Sequence, residues 1–195
     1  AEHVREAMGR WSSGRDFHSQ HLFGLIAAVY IDLYRQAPTA LDQLDTMWPV
    51  LKSQMFLRVR FPRVTLHELR GRACLLAGRR RNDPTLFKQA EAEARSLLRE
   101  HTPVANGLGH LLRANVHKER GDDARAVDEL RLGIPYLEGH GLDLWVPAAQ
   151  AELGKLIGGD EGRNLVKDAQ RFFDRRQIRN RELFCAMMMP GFTPR

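Results

Sequence analysis

LRANVHKERGDDARAVDELRLGI, residues 112–134, is the stretch on which the fold turns. Its first half carries Leu112 and Val116 on the stripe that Val104, Leu108 and Leu111 begin, the spacing of one buried helical face. Gly121 then offers a residue free to take the left-handed conformation that ends a helix, and Asp122 offers a side-chain acceptor to start the next one. Ala126, Val127, Leu130, Ile134 and Leu137 repeat the helical spacing beyond it, up to Gly139 and Gly141. Two helices joined by a tight turn are the expectation, with Pro135 predicting a kink or an early end.

The same grammar runs in both directions. Asp83-Pro84 and Thr102-Pro103 each place a cap residue before a proline at the first helical position. After Asp83-Pro84, the residues Leu86, Phe87, Ala90, Ala94, Leu97 and Leu98 share a face. Downstream, helices are expected over 142–157 and 160–176, the latter burying Leu165, Val166, Ala169, Phe172 and Phe173. Upstream, 19–36 and 39–58 flank the turn at Ala37-Pro38, with Thr39 and Asp42 placed as a capping box, and 62–78 completes about eight helices. Arg79 to Asn82 reads as a solvated loop.

A small residue precedes a glycine by seven positions three times, at Gly71 and Gly78, Ala114 and Gly121, and Ala151 and Gly158. Small residues let paired helices cross closely, and glycine lets the chain leave the first of them. From Ala114 through Gly121-Asp122, Ala126, Leu130 and Gly133 the segment resembles a tetratricopeptide repeat, in units elongated to steps of 43 and 37 residues. The expected fold is therefore all-α. Antiparallel helix hairpins stack as a tetratricopeptide-like right-handed superhelix, an α-solenoid, in one domain over 1–195. The pairs would be 19–58, 62–100, 102–139 and 142–176, followed by a tail over 177–195.

Composition sets the outer limits. The chain has 195 residues, 43% hydrophobic and 28% charged, which fits neither a disordered nor a fibrous protein. Leu25 to Ile31 is the longest apolar run, well short of the ~20 residues of a membrane helix. The charged, helix-like stretch from Ala1 predicts no secretory leader there. Two cysteines make no disulfide framework, as expected of a reducing, cytoplasmic setting.

Met8-Gly-Arg-Trp11, Phe17-His-Ser-Gln-His21, Ile31-Asp-Leu-Tyr34 and Leu69-Arg-Gly-Arg-Ala73 begin a series of short motifs. Leu111-Leu-Arg-Ala114, Leu153-Gly-Lys-Leu-Ile-Gly-Gly159 and Met187-Met-Met-Pro-Gly-Phe192 continue it along nearly the whole chain. Together they are similar to the C-terminal helical region of large bacterial serine/threonine protein kinases, in which a kinase domain is followed by an ATPase-like module and tetratricopeptide-like repeats. The resemblance implies a cytoplasmic interaction or sensory region, not a kinase. The sequence carries no Gly-rich loop preceding a catalytic lysine, no His-Arg-Asp or Asp-Phe-Gly motif, and no Walker loop. Kinase activity, if the parent has it, would reside in other domains.

Candidate chemistry is thin. His18 and His21 share a helical face but lack the further ligands a zinc site needs, and read as an interfacial, hydrogen-bonded pair. His110 and His117, two turns apart, are too far for one ion. Adjacent His67 and Glu68 diverge by about 100 degrees on a helix. Cys74 lies in an apolar helix, and Cys185 precedes three methionines expected to plug the last helix pair. A small helical enzyme built on His18 and His21, or on Cys185, would need a pocket where polar groups converge. No catalytic, cofactor or metal residue is assigned.

The net charge of +6 and the arginines of 58–63, 79–81 and 171–181 raise nucleic acid as the rival partner, opposed by interleaved acidic residues and the lack of an aromatic platform. A protein or peptide partner, or other domains of the same chain, fits better. In the repeat register Glu68, Arg72, Leu111, Asn115 and Lys118 face the partner groove. Glu68 sits where a carboxylate-binding clamp would want a cation, so that clamp is not expected.

Overall fold

The computed structural model describes His3, Glu6 and residues 17–193. Among the described residues the chain is all-α, with nine helices and two 3₁₀ turns. The helices are α1 (Ser19–Tyr34), α2 (Thr39–Ser53), α3 (Arg60–Arg81), α4 (Thr85–Leu98), α5 (Pro103–Glu119), α6 (Asp123–Leu137), α7 (Trp145–Ile157), α8 (Gly159–Arg175) and α9 (Arg181–Met188). The 3₁₀ turns are Phe56–Arg58 and Pro190–Phe192. The Met8 to Trp11 motif lies outside the described residues.

Most starts follow the capping expected of them. Thr102 and Asp122 accept from the backbone N–H groups of Ala105 and Arg125, three residues on. Asp83 accepts from the backbone N–H of Thr85 at 2.9 Å and from its hydroxyl at 2.6 Å, which holds its carboxyl below the usual carboxylate range. The capping box at Thr39 does not form. Its hydroxyl donates to Asp32, and Asp42 instead receives Arg81.

The ends follow a rule that glycine only half reveals. Each of the first eight helices stops within three residues of a left-handed residue: Gln36, Met55, Asn82, His101, Gly121, Gly139, Gly158 and Gln177. After α1, α3, α5 and α8 the 6→1 bond of a Schellman turn closes the end, from Ala37 to Asp32, Asp83 to Gly78, Asp122 to His117, and Ile178 to Phe173. Asn82, not Gly78, therefore ends α3. Arg79 to Arg81 are helical rather than a loop, because Gly78 is packed against Phe87 instead of turning the chain. Left-handed Met55 ends the expected helix 39–58 at Ser53. Pro135 is absorbed near the end of α6, which runs two residues past it.

The predicted stripes supply most of the core, with Leu165, Val166 and Phe172 of α8 only half-buried. Leu86, Ala90, Ala94 and Leu97 of α4, Leu108, Leu111, Leu112 and Val116 of α5, Ala126, Leu130, Ile134 and Leu137 of α6, and Ala169 and Phe173 of α8 are all buried. Helices consecutive in the chain pack on each other from α1 to α8, and α3 also packs on both α1 and α5. Where α7 crosses α8, a Cβ on Gly154 would lie 2.5 Å from the carbonyl oxygen of Gly162. The crossing exists because neither residue has a side chain.

One arrangement occurs twice. On α3, His67 and Arg70 both reach Glu93 of α4. On α5, His110 and Arg113 both reach Glu129 of α6, at 2.7 and 3.0 Å. Both glutamates are buried and each is held by an imidazole nitrogen and a guanidinium, so neither is left unpaired. Histidine, arginine three residues later, and a glutamate on the following helix form a side-chain signature shared by the two helix pairs.

Gly154→Ala is expected to lower stability by ~1–3 kcal/mol through overpacking at the α7–α8 crossing, read as a fall in urea midpoint at unchanged m-value.

Candidate functional site

Positions 72, 115 and 152 stand on α3, α5 and α7, separated by the same steps that separate Gly78, Gly121 and Gly158. Arg72, Asn115 and Glu152 there are 2%, 1% and 6% exposed. Three polar side chains at equivalent places, all closed to water, need partners. The chain's own C-terminal segment supplies partners to Arg72 and Asn115.

Arg72 meets Glu68 twice. Nη2 donates to Oε2 at 2.8 Å, and Nε lies 2.5 Å from Oε1 without hydrogen-bond alignment. Its Nη1 donates to the carbonyl of Met187 at 2.8 Å, and its guanidinium lies between the rings of Tyr30 and Trp145. The Trp145 indole N–H donates to Glu68 at 3.4 Å. Glu68 keeps Arg72 firmly charged in spite of burial, which by itself would favour the neutral form. Burial pushes the neighbouring Tyr30 phenol up.

Asn115 donates to the Leu111 carbonyl at 2.7 Å and accepts from the backbone N–H of Gly191 at 2.8 Å. A Cβ on Gly191 would lie 2.5 Å from the carbonyl oxygen of Asn115, so only glycine seats here. Arg79 donates to the carbonyls of Pro190 at 2.5 Å and Thr193 at 2.6 Å, and pairs with Glu119 at 3.1 Å. Glu152 pairs with Lys155, yet burial still pushes its carboxyl up. The gap left among Glu68, Arg72, Leu111, Asn115 and Met188 is ≈ 10 Å³, barely enough for a water.

The expected partner groove is thus filled from within. Glu68, Arg72, Leu111 and Asn115 come together as the register predicts, but beneath the segment that follows α8 rather than open to a partner. Lys118 is set apart: its side chain is 30% exposed and pairs with Asp123 at 2.8 Å. The methionines do plug the fold. They cover α3 and α5, with α9 bridging α1 and α7, rather than the last helix pair alone. Arg79, expected in a solvated loop, holds the turn that follows them, at Pro190 and Thr193.

Beside this filled stretch lies an open one. A cleft of ≈ 540 Å³ is lined by Phe23, Ile26 and Tyr30 of α1, Phe61 and Val64 of α3, and Trp145 of α7. Glu68, Leu108 and Trp145 border both the cleft and the filled stretch, so the two are continuous. Phe23 and Phe61 are 56% and 62% exposed. Arg60 lies at the edge, 4.0 Å from a Glu100 that Arg63 holds at 2.5 Å. Helical spacing marks Phe23 and Phe61 as apolar but says nothing of whether a neighbouring helix covers them, so sequence reading missed the cleft.

The other candidates are placed plainly. His21 Nδ1 accepts from the backbone N–H of His18 at 3.0 Å, and its ring lies against Phe17. Among the described residues no three histidine, cysteine, aspartate or glutamate side chains gather as a metal site would require. Burial pushes the thiols of Cys74 and Cys185 up to about 12 and about 11, so both are protonated at neutral pH and poor nucleophiles. Arg63, Arg79, Arg81, Arg171, Arg176 and Arg181 each have a carboxylate within 4.0 Å, which dissipates the basic clusters. No helix of the described residues is long and apolar enough to cross a membrane.

Arg72→Leu alone strands a buried carboxylate and is expected to cost about 3–5 kcal/mol, whereas Glu68→Leu with Arg72→Leu should cost much less; urea denaturation of both variants measures the difference. Unfolded cysteines ionise near 9.0 and the folded ones only at about 11 and 12. Their stabilising contribution is therefore complete below pH 9 and fades as pH rises beyond it, and thermal melts from pH 8 to 11 should fall accordingly. Compared with protein-family models, curated proteins and solved structures, this chain matches none.

Proposed function

We propose that this chain is a non-catalytic, tetratricopeptide-like interaction module whose open cleft takes an apolar segment of a partner polypeptide. The observation that carries the reading is the cleft itself, a ≈ 540 Å³ apolar hollow with two phenylalanines exposed at its edge. Apolar surface rimmed in this way marks an interaction site more often than idle surface. Arg60, held only loosely by Glu100, favours a partner with an acidic residue flanking its apolar face.

The recurrent His-Arg-Glu arrangement and the contacts of α3 with α1 and α5 support a repeat architecture, a right-handed stack of helix hairpins. The quoted motifs, Met187 to Phe192 among them, support placement at the helical end of a bacterial serine/threonine kinase with an ATPase-like module, in the cytoplasm. A kinase and an ATPase-like module encoded directly upstream is the expected genomic result. Nucleic acid is disfavoured because Arg63, Arg79, Arg81, Arg171, Arg176 and Arg181 are paired with carboxylates.

Trp145 lines the cleft and reports on it. In a panel of 12–15-residue amphipathic peptides, those with an acidic flank are expected to shift the fluorescence that Trp145→Phe removes. Phe23→Ser and Phe61→Ser should each weaken binding roughly tenfold or more, with melting temperature nearly unchanged because both rings are already exposed. A panel in which no peptide perturbs Trp145, or ATP turnover by the purified chain, would overturn the reading.

A further inference from the structure

The segment that fills the groove is held as a bound peptide is held. Arg72 takes the carbonyl of Met187, Arg79 takes those of Pro190 and Thr193, and Asn115 takes the N–H of Gly191. All four bonds go to the backbone of the segment from side chains of α3 and α5. The segment's own side chains contribute apolar filling, with Met188 and Met189 resting their sulfurs 3.7 Å from Arg72 and 3.5 Å from Asn115. Specificity enters at one place, where Gly191 touches the backbone of Asn115. Backbone hydrogen bonds combined with pockets for alternate side chains are how grooves bind extended peptides in trans.

The connection behind the segment is slight. Between α8 and α9 the chain passes through Gln177, left-handed at φ 54, and the exposed residues Arg179 and Asn180. Arg181 and Asp174 pair across this turn with both side chains well exposed, an interaction of small worth. Beyond the grip, α9 packs on α1 and α7 and Phe184 stacks edge-on against Phe173, and exchange parts these contacts as well.

We propose that the face of α3 and α5 carrying Arg72, Arg79 and Asn115 is a second, peptide-binding site, and that residues 184–193 are its resident, exchangeable occupant. The partner it fits is an uncharged, methionine- or phenylalanine-rich segment of another chain with a glycine at the Gly191 position. This deepens the interaction-module reading and rests on it, but it concerns the filled stretch and not the open cleft.

The test uses the full chain and a fluorescein-labelled peptide of residues 181–193. Gly191→Val cannot seat against Asn115, so its own segment should leave the groove and the labelled peptide should bind, at least about tenfold tighter than to the wild type. Arg79→Ala, which drops two carbonyl contacts and the ion pair with Glu119, should also admit the peptide and provides an independent variant if Gly191→Val does not fold. Cys185 travels with the segment, so iodoacetamide should label it faster in both variants while Cys74, buried on α3 against α4, stays protected. Adding Asn115→Ala to Gly191→Val should weaken the peptide again by about tenfold, since the N–H of the entering glycine loses its acceptor. Folded variants that expose Cys185 yet bind no peptide would overturn the proposal, as would a Cys185 that stays protected in both. Peptides that enter the open cleft are followed in the wild type with the segment in place, so failure there and failure here are read separately.

Discussion

One guanidinium holds the interior together. Arg72 is almost wholly buried, charged by its contact with Glu68, and shared between α3, the aromatic rings of α1 and α7, and the carbonyl of Met187. Burying a charge costs several kcal/mol unless it is paired and its protons are used. Those demands draw Glu68, Tyr30, Trp145 and the C-terminal segment to one point. The rest follows spatially: α9 is carried across α1 and α7, and the turn after it is laid against α3 and α5.

Asn115 and Arg79 extend the same logic along the groove. Asn115 is buried and Arg79 largely covered, and the segment's backbone offers them an N–H and carbonyls at the right places. What distinguishes the filled stretch from the open cleft is therefore chemical. The filled stretch is lined by side chains that demand hydrogen bonds. The cleft is lined by rings that demand only exclusion of water. A single surface thus offers two kinds of reception, and the chain satisfies the more exacting one itself.

Much of the helical order was legible in the residues. Spacing gave the buried faces of α4, α5 and α6, and Asp83, Thr102 and Asp122 start helices as capping requires. Helical periodicity fixes a face, which is why Glu68, Arg72, Leu111 and Asn115 border one small gap. It cannot say what lies over that face. Residues 115 positions later in the chain do, and no local pattern announces a contact of that range. Helix ends were legible where glycine made them and illegible where Asn82, Met55, His101 or Gln177 took the left-handed turn. These residues pay a small strain that tertiary packing offsets. The doubled histidine, arginine and glutamate set went unseen for a related reason. Its glutamates sit on separate helices, and buried glutamate looks like surface glutamate in a sequence.

The bridging position of α9 alters how the chain can come apart. An open row of helices is tied only to its neighbours, so its ends can fray while the middle persists. Among the described residues α9 is fastened to α1 and α7, and the turn beyond it to α3 and α5. Loosening either extremity strips cover from a charge in the centre. While that turn stays seated, the molecule is latched like a clasped belt, and its melting should be all-or-none instead of progressing inward from the tips.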